Sequence, residues 1–329
     1  CAGTLSPTDA AVAVPKPRWS VSHPILPVLY VASDGAKEGS VQPFGIDRDS
    51  VAWRKTGEVG VGGSGTTHLW LEAPSMTLLA ANFGSGSTSS VAVNADGSLG
   101  ALVSTVKATG SGPHRRQASP HSHGISVDPS GRYVLVSDLG ADRVFVYGLD
   151  RATHALSPEE AAPSRAFVAP PGSGPRHTAF SRDGRYVYLL TESSADSVTL
   201  RWHAPAGRLA VVQSLPISSA GLQGSKSGSE VAVSRDGRFV YVANRAENEL
   251  LVYRTDAATG ELSLAQRTPS GGAQPWTFAI HPSGRWMLVA NKQAGKVQLF
   301  RIDSETGRLT DTGQAVEAAD PVSVTFANE

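Results

Sequence analysis

The chain has 329 residues and carries 29 Lys plus Arg against 29 Asp plus Glu, with no basic run or tail. That balance excludes electrostatic attachment to nucleic acid or to an anionic membrane surface. No apolar stretch approaches the roughly 18 residues of a spanning helix, the 34 glycines mark a turn-rich globular chain, and the single cysteine, Cys1, excludes an internal disulfide.

In chain order, Cys1-Ala2-Gly3 opens a polar stretch rich in Pro, Thr and Ala, which resembles the start of a mature bacterial lipoprotein. Residues 1–26 are then expected to be a tether in an exported protein, periplasmic or at the cell surface. A lipid on Cys1 would be its one membrane attachment. The alternative is a cleaved export signal or a truncation that merely leaves Cys1 first. Residues 27–329 are expected to be a single domain. They begin with three short strand-like runs, Leu29–Ser33, Ser40–Asp47 and Val51–Glu58, followed by a degenerate unit from Thr67 through Leu78–Asn82 to Val91 and Gly100.

Four clear repeats come next. Ser130-Gly131-Arg132-Tyr133, Asp183-Gly184-Arg185-Tyr186, Asp236-Gly237-Arg238-Phe239 and Ser283-Gly284-Arg285-Trp286 each join a short apolar strand to one rich in Val, Leu and Tyr. Their glycines are 53, 53 and 47 residues apart. A period of this length built only from strands and turns predicts an all-β propeller of four-stranded blades. Glycine permits the reversal because it tolerates positive φ. Pro321–Phe326 supplies only an inner strand. It is expected to join the three N-terminal runs in one blade, so that N- and C-terminal strands close the ring without an orphan edge. Six blades are countable, and a seventh would have to come from Ala10–His23.

In a propeller the first strand of each blade leaves one mouth and the second returns to it. Two positions per blade therefore face that mouth. The first series is Thr67, His123, Arg176, Ser229, Trp276 and Val322; the second is Asp34, Phe83, Leu139, Glu192, Arg245 and Lys292. Charged side chains converging on one concavity predict anion recognition and acid–base work. Arg176 and Arg245 present forks suited to carboxylate or phosphate. Glu192, flanked by cations, is expected to orient or deprotonate water. His123 would serve a developing oxyanion or leaving oxygen. His121, Lys292, Trp276 and Asp34 complete the expected substrate-binding set, while His68, His177 and Glu230, one position deeper, are expected to pack. His121 and His123 share a strand face, but no third ligand of matching spacing accompanies them, so neither a metal nor a cofactor is expected. Ser104-x-x-Lys107 has no partner motif, and the Gly84-Ser85-Gly86 and Gly110-Ser111-Gly112 runs lack a phosphate-loop lysine.

These residues resemble the lactonase family of β-propellers, which includes bacterial 6-phosphogluconolactonase and a fungal muconate lactonizing enzyme. The resemblance is carried by Ala81-Asn82-Phe83-Gly84-Ser85-Gly86, Pro120-His121-Ser122-His123, Ser137-Asp138-Leu139-Gly140-Ala141-Asp142-Arg143-Val144 and Gly174-Pro175-Arg176-His177. It continues through Thr191-Glu192, Ala243-Asn244-Arg245 and Gln274-Pro275, over about residues 60–326. It implies a seven-bladed propeller whose site uses a His, two Arg and a Glu, falling on His123 or His121, Arg176, Arg245 and Glu192. Two features depart from it: one N-terminal blade fewer, and Trp276 where the family commonly has Arg. The expected activity is hydrolysis of a small, acidic or sugar-derived lactone. The alternatives are cycloisomerisation of a muconate-like diacid and a non-catalytic cell-surface binding propeller.

Overall fold

The structure, a computed structural model, describes residues 3–8, 11–35, 38–47, 52–158 and 164–327. Cys1, the expected lipid carrier, lies outside the described residues, as does Val51. The chain divides into two compact units, one built on Thr8–Gly172 and joined by Thr325, the other on Ser173–Val324. Each holds three antiparallel sheets whose strands lie in chain order.

In the first unit, one sheet comprises β1 (Pro17–Ser22), β2 (Val28–Ser33), β3 (Ser40–Ile46) and β4 (Trp53–Lys55), with β5 (Val59–Gly60) also pairing with β3. A second contains β6 (Thr66–Glu72), β7 (Thr77–Asn82), β8 (Ser87–Val93) and β9 (Leu99–Lys107). The third contains β10 (Ser122–Val127), β11 (Tyr133–Asp138), β12 (Arg143–Asp150) and β13 (Ala155–Ser157), with β14 (Phe167–Val168) also on β12.

The second unit repeats the plan with fewer irregularities. Its sheets are β15 (Pro175–Phe180), β16 (Tyr186–Thr191), β17 (Asp196–His203) and β18 (Arg208–Pro216); β19 (Gly228–Val233), β20 (Phe239–Asn244), β21 (Glu249–Thr255) and β22 (Leu262–Pro269); and β23 (Pro275–Ile280), β24 (Trp286–Asn291), β25 (Lys296–Ile302) and β26 (Leu309–Glu317). Second strands such as β7, β16 and β20 are buried at every position, because a blade strand is covered on both faces. Outer strands β18 and β26 alternate toward solvent.

The Gly-Arg signature is a staple at the first turn. Ser181 Oγ donates to Asp183 Oδ1 at 2.7 Å and accepts from the Tyr186 amide at 2.9 Å, while Arg185 Nε donates to Asp183 Oδ2 at 2.7 Å. Ser234, Asp236 and Arg238 repeat these bonds at 2.6, 3.0 and 2.6 Å. The core fills between consecutive sheets. Tyr188, Leu190 and Val231 pack with Val240 and Leu251, and Tyr241, Val252 and Phe278 pack with Met287 and Phe300. Each such side chain contributes about 1.5–3 kcal/mol of burial.

The N-terminal sheet departs from expectation. Its inner strand is β1, which falls inside the expected tether, whereas Pro321–Phe326 forms no strand. A turn of five residues joins β1 to β2, so local pairing closes a short loop at small entropic cost. Trp19 and Val21 also supply the apolar alternation and pack against Tyr30 and Leu69. The chain end still reaches this strand, because Thr325 Oγ1 donates to the Ser20 carbonyl at 2.8 Å.

Candidate active site

Register fixes which residues meet where each strand pair begins and ends. In the second unit the pairing slips by one residue between Pro175 and His177, between Gly228 and Val231, and between Pro275 and Thr277. These are β-bulges, which bend the strand and re-aim the extra residue. The re-aimed residues are Arg176, Ser229 and Trp276. Directly across, the chain leaves the second strand through Glu192, Arg245 and Lys292, whose amides donate to the carbonyls of Gly174, Ser227 and Gln274 at 2.7, 2.8 and 2.9 Å. Bulge and exit residue thus face each other in every sheet of this unit.

Arg176, Glu192, Arg245, Trp276 and Lys292 come together. Glu192 Oε2 accepts from Arg176 Nε at 3.2 Å and pairs with Arg245 Nη2 at 3.1 Å. The Arg176 side chain is 1% exposed and that of Glu192 6%. Arg176 Nη1 donates to the Ser229 carbonyl, and Ser229 Oγ donates to the Pro275 carbonyl at 2.7 Å. Arg245 is anchored from outside by Ser227, whose Oγ accepts from Nε at 3.0 Å and Nη2 at 2.8 Å. The Trp276 ring gathers three cations: the Arg245 guanidinium 4.5 Å from its centroid, Lys292 Nζ at 4.7 Å and the Arg176 guanidinium at 5.8 Å. Three positive groups about one ion-paired carboxylate leave an excess of positive charge on an aromatic wall, which suits an anion or a developing oxyanion. Burial, followed by repulsion from Arg245, pushes the Arg176 guanidinium down to about 10 against the pull of Glu192 and Glu230, so it stays charged at neutral pH.

One position deeper lies a buried hydrogen-bonded line. His177 Nδ1 donates to Glu230 Oε1 at 2.7 Å, Thr277 Oγ1 donates to Glu230 Oε2 at 2.8 Å, and the Val231 amide closes on Glu230 Oε1 at 3.0 Å. Burial lowers the His177 imidazole, outweighing attraction to Glu230. Burial raises the Glu230 carboxyl, but His177, Arg176 and Thr277 together carry it below the usual carboxylate range.

In the other unit the same bulge recurs between Pro17 and Trp19, Thr66 and His68, and Ser122 and Gly124, re-aiming Arg18, Thr67 and His123. Arg18 therefore takes the place expected for Val322, and it pairs with Asp34 at 3.3 Å. Asp34 is thus engaged by a neighbour on its own sheet. His121 stacks on Phe83 with centroids 4.4 Å apart and planes 12° from parallel, and His123 meets the same ring edge-on at 5.7 Å. His121 Nδ1 lies 2.8 Å from the Phe83 carbonyl. A carbonyl only accepts, so Nδ1 carries the proton and Nε2 is the basic nitrogen of the neutral ring. Leu139 is fully buried.

Sequence reasoning missed Arg18, Ser227 and Asp138, and placed Ser229 at the mouth without giving it a role. A signal for Arg18 exists, since Pro17-Arg18 repeats the strand entry of Pro175-Arg176 and Pro275-Trp276, but Pro321-Val322 carries it too. Ser227, and the role of Ser229, rest on tertiary contacts that leave no sequence pattern.

A family model described as Lactonase, 7-bladed beta-propeller, matches residues 2–326 of this chain. A 6-phosphogluconolactonase of Bacillus subtilis is 31% identical over 278 residues, 84% of this chain and 78% of that protein. Another 6-phosphogluconolactonase, from Formosa agariphila, is 30% identical over 249 residues, 74% of this chain and 69% of the relative. Among solved structures, a periplasmic gluconolactonase of Pseudomonas aeruginosa superposes with a TM-score of 0.85 at 33% identity, covering 93% of this chain and 86% of that one.

Proposed function

This chain belongs to the lactonase family of seven-bladed β-propellers, and from that premise we propose that it hydrolyses the lactone of a sugar acid, with Glu192, Arg176, Arg245, Lys292 and Trp276 as the working group. The observation that carries this reading is the shared Glu192 Oε2, held between two guanidinia beside a tryptophan that a third cation also faces. Such a group has what ester hydrolysis requires: a fixed carboxylate to accept a proton, and donors where negative charge develops.

In the proposed reaction, water attacks the lactone carbonyl carbon while Glu192 takes the proton that water loses. The carbonyl oxygen becomes an oxyanion stabilised by the cationic side. The ring C–O bond then breaks, and the departing alkoxide recovers the proton from Glu192, leaving a hydroxy acid. Trp276 supplies a wall for the apolar face of a sugar ring. Lys292, half-buried, supplies charge for an acidic substituent or the nascent carboxylate. His121 and His123 are proposed to serve the same activity. Export, as in the periplasmic relative from Pseudomonas aeruginosa, is proposed for this chain as well.

The test is a pH-stat assay with δ-lactones of aldonic acids, with and without a phosphate substituent. Wild type should consume base above the spontaneous rate, and Glu192→Gln should reduce kcat on the order of 10²–10⁴-fold with little change in KM. Equal turnover by Glu192→Gln would sink the assignment of Glu192. No turnover of any lactone, combined with tight binding of a macromolecule, would favour a non-catalytic propeller.

A further inference from the structure

The second strand of every sheet ends in a buried polar residue just before the exit position opposite the bulge: Ser33, Asn82, Asp138, Thr191, Asn244 and Asn291. All six are at most 3% exposed. Their task is similar throughout, tying the exit turn to nearby main chain or hydroxyls. Thr191 Oγ1 accepts from the Asp196 amide at 2.8 Å, Asn244 Oδ1 from the Ala246 amide at 3.2 Å, and Asn82 Oδ1 from Thr66 Oγ1 at 2.8 Å. Five of the six do this without a charge. Only Asp138 is ionisable.

Asp138 does its work on the histidine segment. Its Oδ1 accepts from the His121 amide and from the Ala141 amide, both at 2.8 Å, and its Oδ2 accepts from Ser122 Oγ at 3.0 Å. Three donors on two oxygens suit a carboxylate, which only accepts. The contacts fall on both ends of the hairpin that presents the histidines, because His121 and Ser122 lead into the bulge at His123 while Ala141 belongs to the exit turn. The turn itself leaves no slack, since a Cβ on Gly140 would lie 1.9 Å from the Ser119 carbonyl. Gln117 ties the preceding loop to the same turn, donating to the Leu139 carbonyl at 2.8 Å and to Asp142 Oδ1 at 2.7 Å.

We propose that Asp138 is a positioning residue whose carboxylate clamps the main chain of the His121–His123 segment, a charge retained in the one sheet whose bulge presents a histidine although the fold would be at least as stable with the asparagine used elsewhere. Burial raises the Asp138 carboxyl above the usual range even though its donors and His121 pull the other way, so the ionised form is held at a cost to the fold. A purely structural clamp has no need of that cost, because Asn82 and Asn244 meet theirs neutrally. A charge-assisted bond, roughly twice as strong as a neutral one, holds the segment more firmly than an amide can. The bearing on catalysis rests on the lactonase reading and on a histidine of this segment serving it.

The experiment compares wild type, Asp138→Asn and Asp138→Ala at neutral pH by thermal unfolding, by site-resolved amide hydrogen exchange and by lactone turnover. Asp138→Asn should unfold at or above the wild-type temperature while the His121 and Ala141 amides exchange roughly tenfold faster, reflecting the loss of charge assistance. Asp138→Ala, which removes the acceptors altogether, should unfold at a lower temperature. In Asp138→Asn, kcat should fall several-fold with KM little changed. A lower melting temperature for Asp138→Asn, or wild-type exchange at both amides, overturns the proposal. Should wild type turn over no lactone, the activity reading fails on its own, while unfolding and exchange still decide the clamp.

Discussion

Arg176 is a fully buried cation held through the shape of its head group: Nε on Glu192, Nη1 on the Ser229 carbonyl, and the plane near Trp276. Lysine keeps the charge but not the fork. Arg176→Lys should therefore retain most of the fold yet lose one of the two hydrogen bonds, with kcat/KM falling at least tenfold. Arg176→Ala leaves Glu192 buried with only Arg245 as its cationic partner and should lower unfolding free energy on the order of 3 kcal/mol, measured by urea titration. Equal stability of the two variants would mean that the fork, not the buried charge, is what matters to the fold. Much of this cluster was legible in the sequence, because the repeat fixes the register and a charged residue at a mouth position is conspicuous. Ser227 was not, because a serine hydroxyl that braces a guanidinium is common in loops and acquires meaning only from the neighbour it meets; Ser229, placed at a mouth position by the repeat, holds Arg176 through its main-chain carbonyl, which no side-chain pattern reports.

At the scale of elements, the bulge is what turns a repeated strand pair into a device for presenting side chains, and the turns at the opposite end keep its register. Gly307, in the turn between β25 and β26, and Gly313, in the irregularity within β26, separate two demands that positive φ makes on glycine. Both have positive φ, +70° and +73°. A Cβ on Gly307 would sit 2.4 Å from the Phe239 ring, whereas one on Gly313 would meet nothing within 4 Å. Gly313→Ala should cost about 1–2 kcal/mol, the backbone penalty alone. Gly307→Ala should cost more, because the Phe239 ring must also move; indistinguishable urea midpoints would show that the ring yields freely. The Gly-Arg turn was readable because its chemistry is local, within five residues. Which segment supplies the inner strand of the N-terminal sheet was not, since Pro17–Ser22 and Pro321–Phe326 both offer a proline entry and an apolar run. Proximity to β2 decided it, and a reading of patterns alone does not weigh chain entropy.

For the whole molecule, the propeller was written in the spacing of four glycines, whereas the response to pH is set by buried groups whose surroundings no spacing reveals. His177, Asp138 and Glu230 pull in different directions. The folded His177 titrates below its unfolded value of 6.5, so the unfolded chain binds more protons there and stability is lost as pH falls below about 6.5. Asp138 titrates above its unfolded 3.8, so the native state binds the extra proton, and its contribution improves as pH falls through the folded value. Glu230 titrates below its unfolded 4.5 and gives up stability only in stronger acid. The first loss on acidification therefore falls to His23, whose imidazole burial also lowers, and to His177. The charged groups acting on His177 are Glu230 and Glu192, which favour its protonation, and Arg176, which opposes it; burial outweighs the carboxylates. Urea unfolding between pH 8 and pH 5 should show wild-type stability declining from about pH 6.5 downward. His177→Gln, which titrates nowhere in that window, should be less stable at pH 8 but lose less between pH 7 and pH 5. If its stability falls along the wild-type slope, the acid sensitivity belongs to another group, and the line from His177 through Glu230 to Thr277 is a packing feature alone.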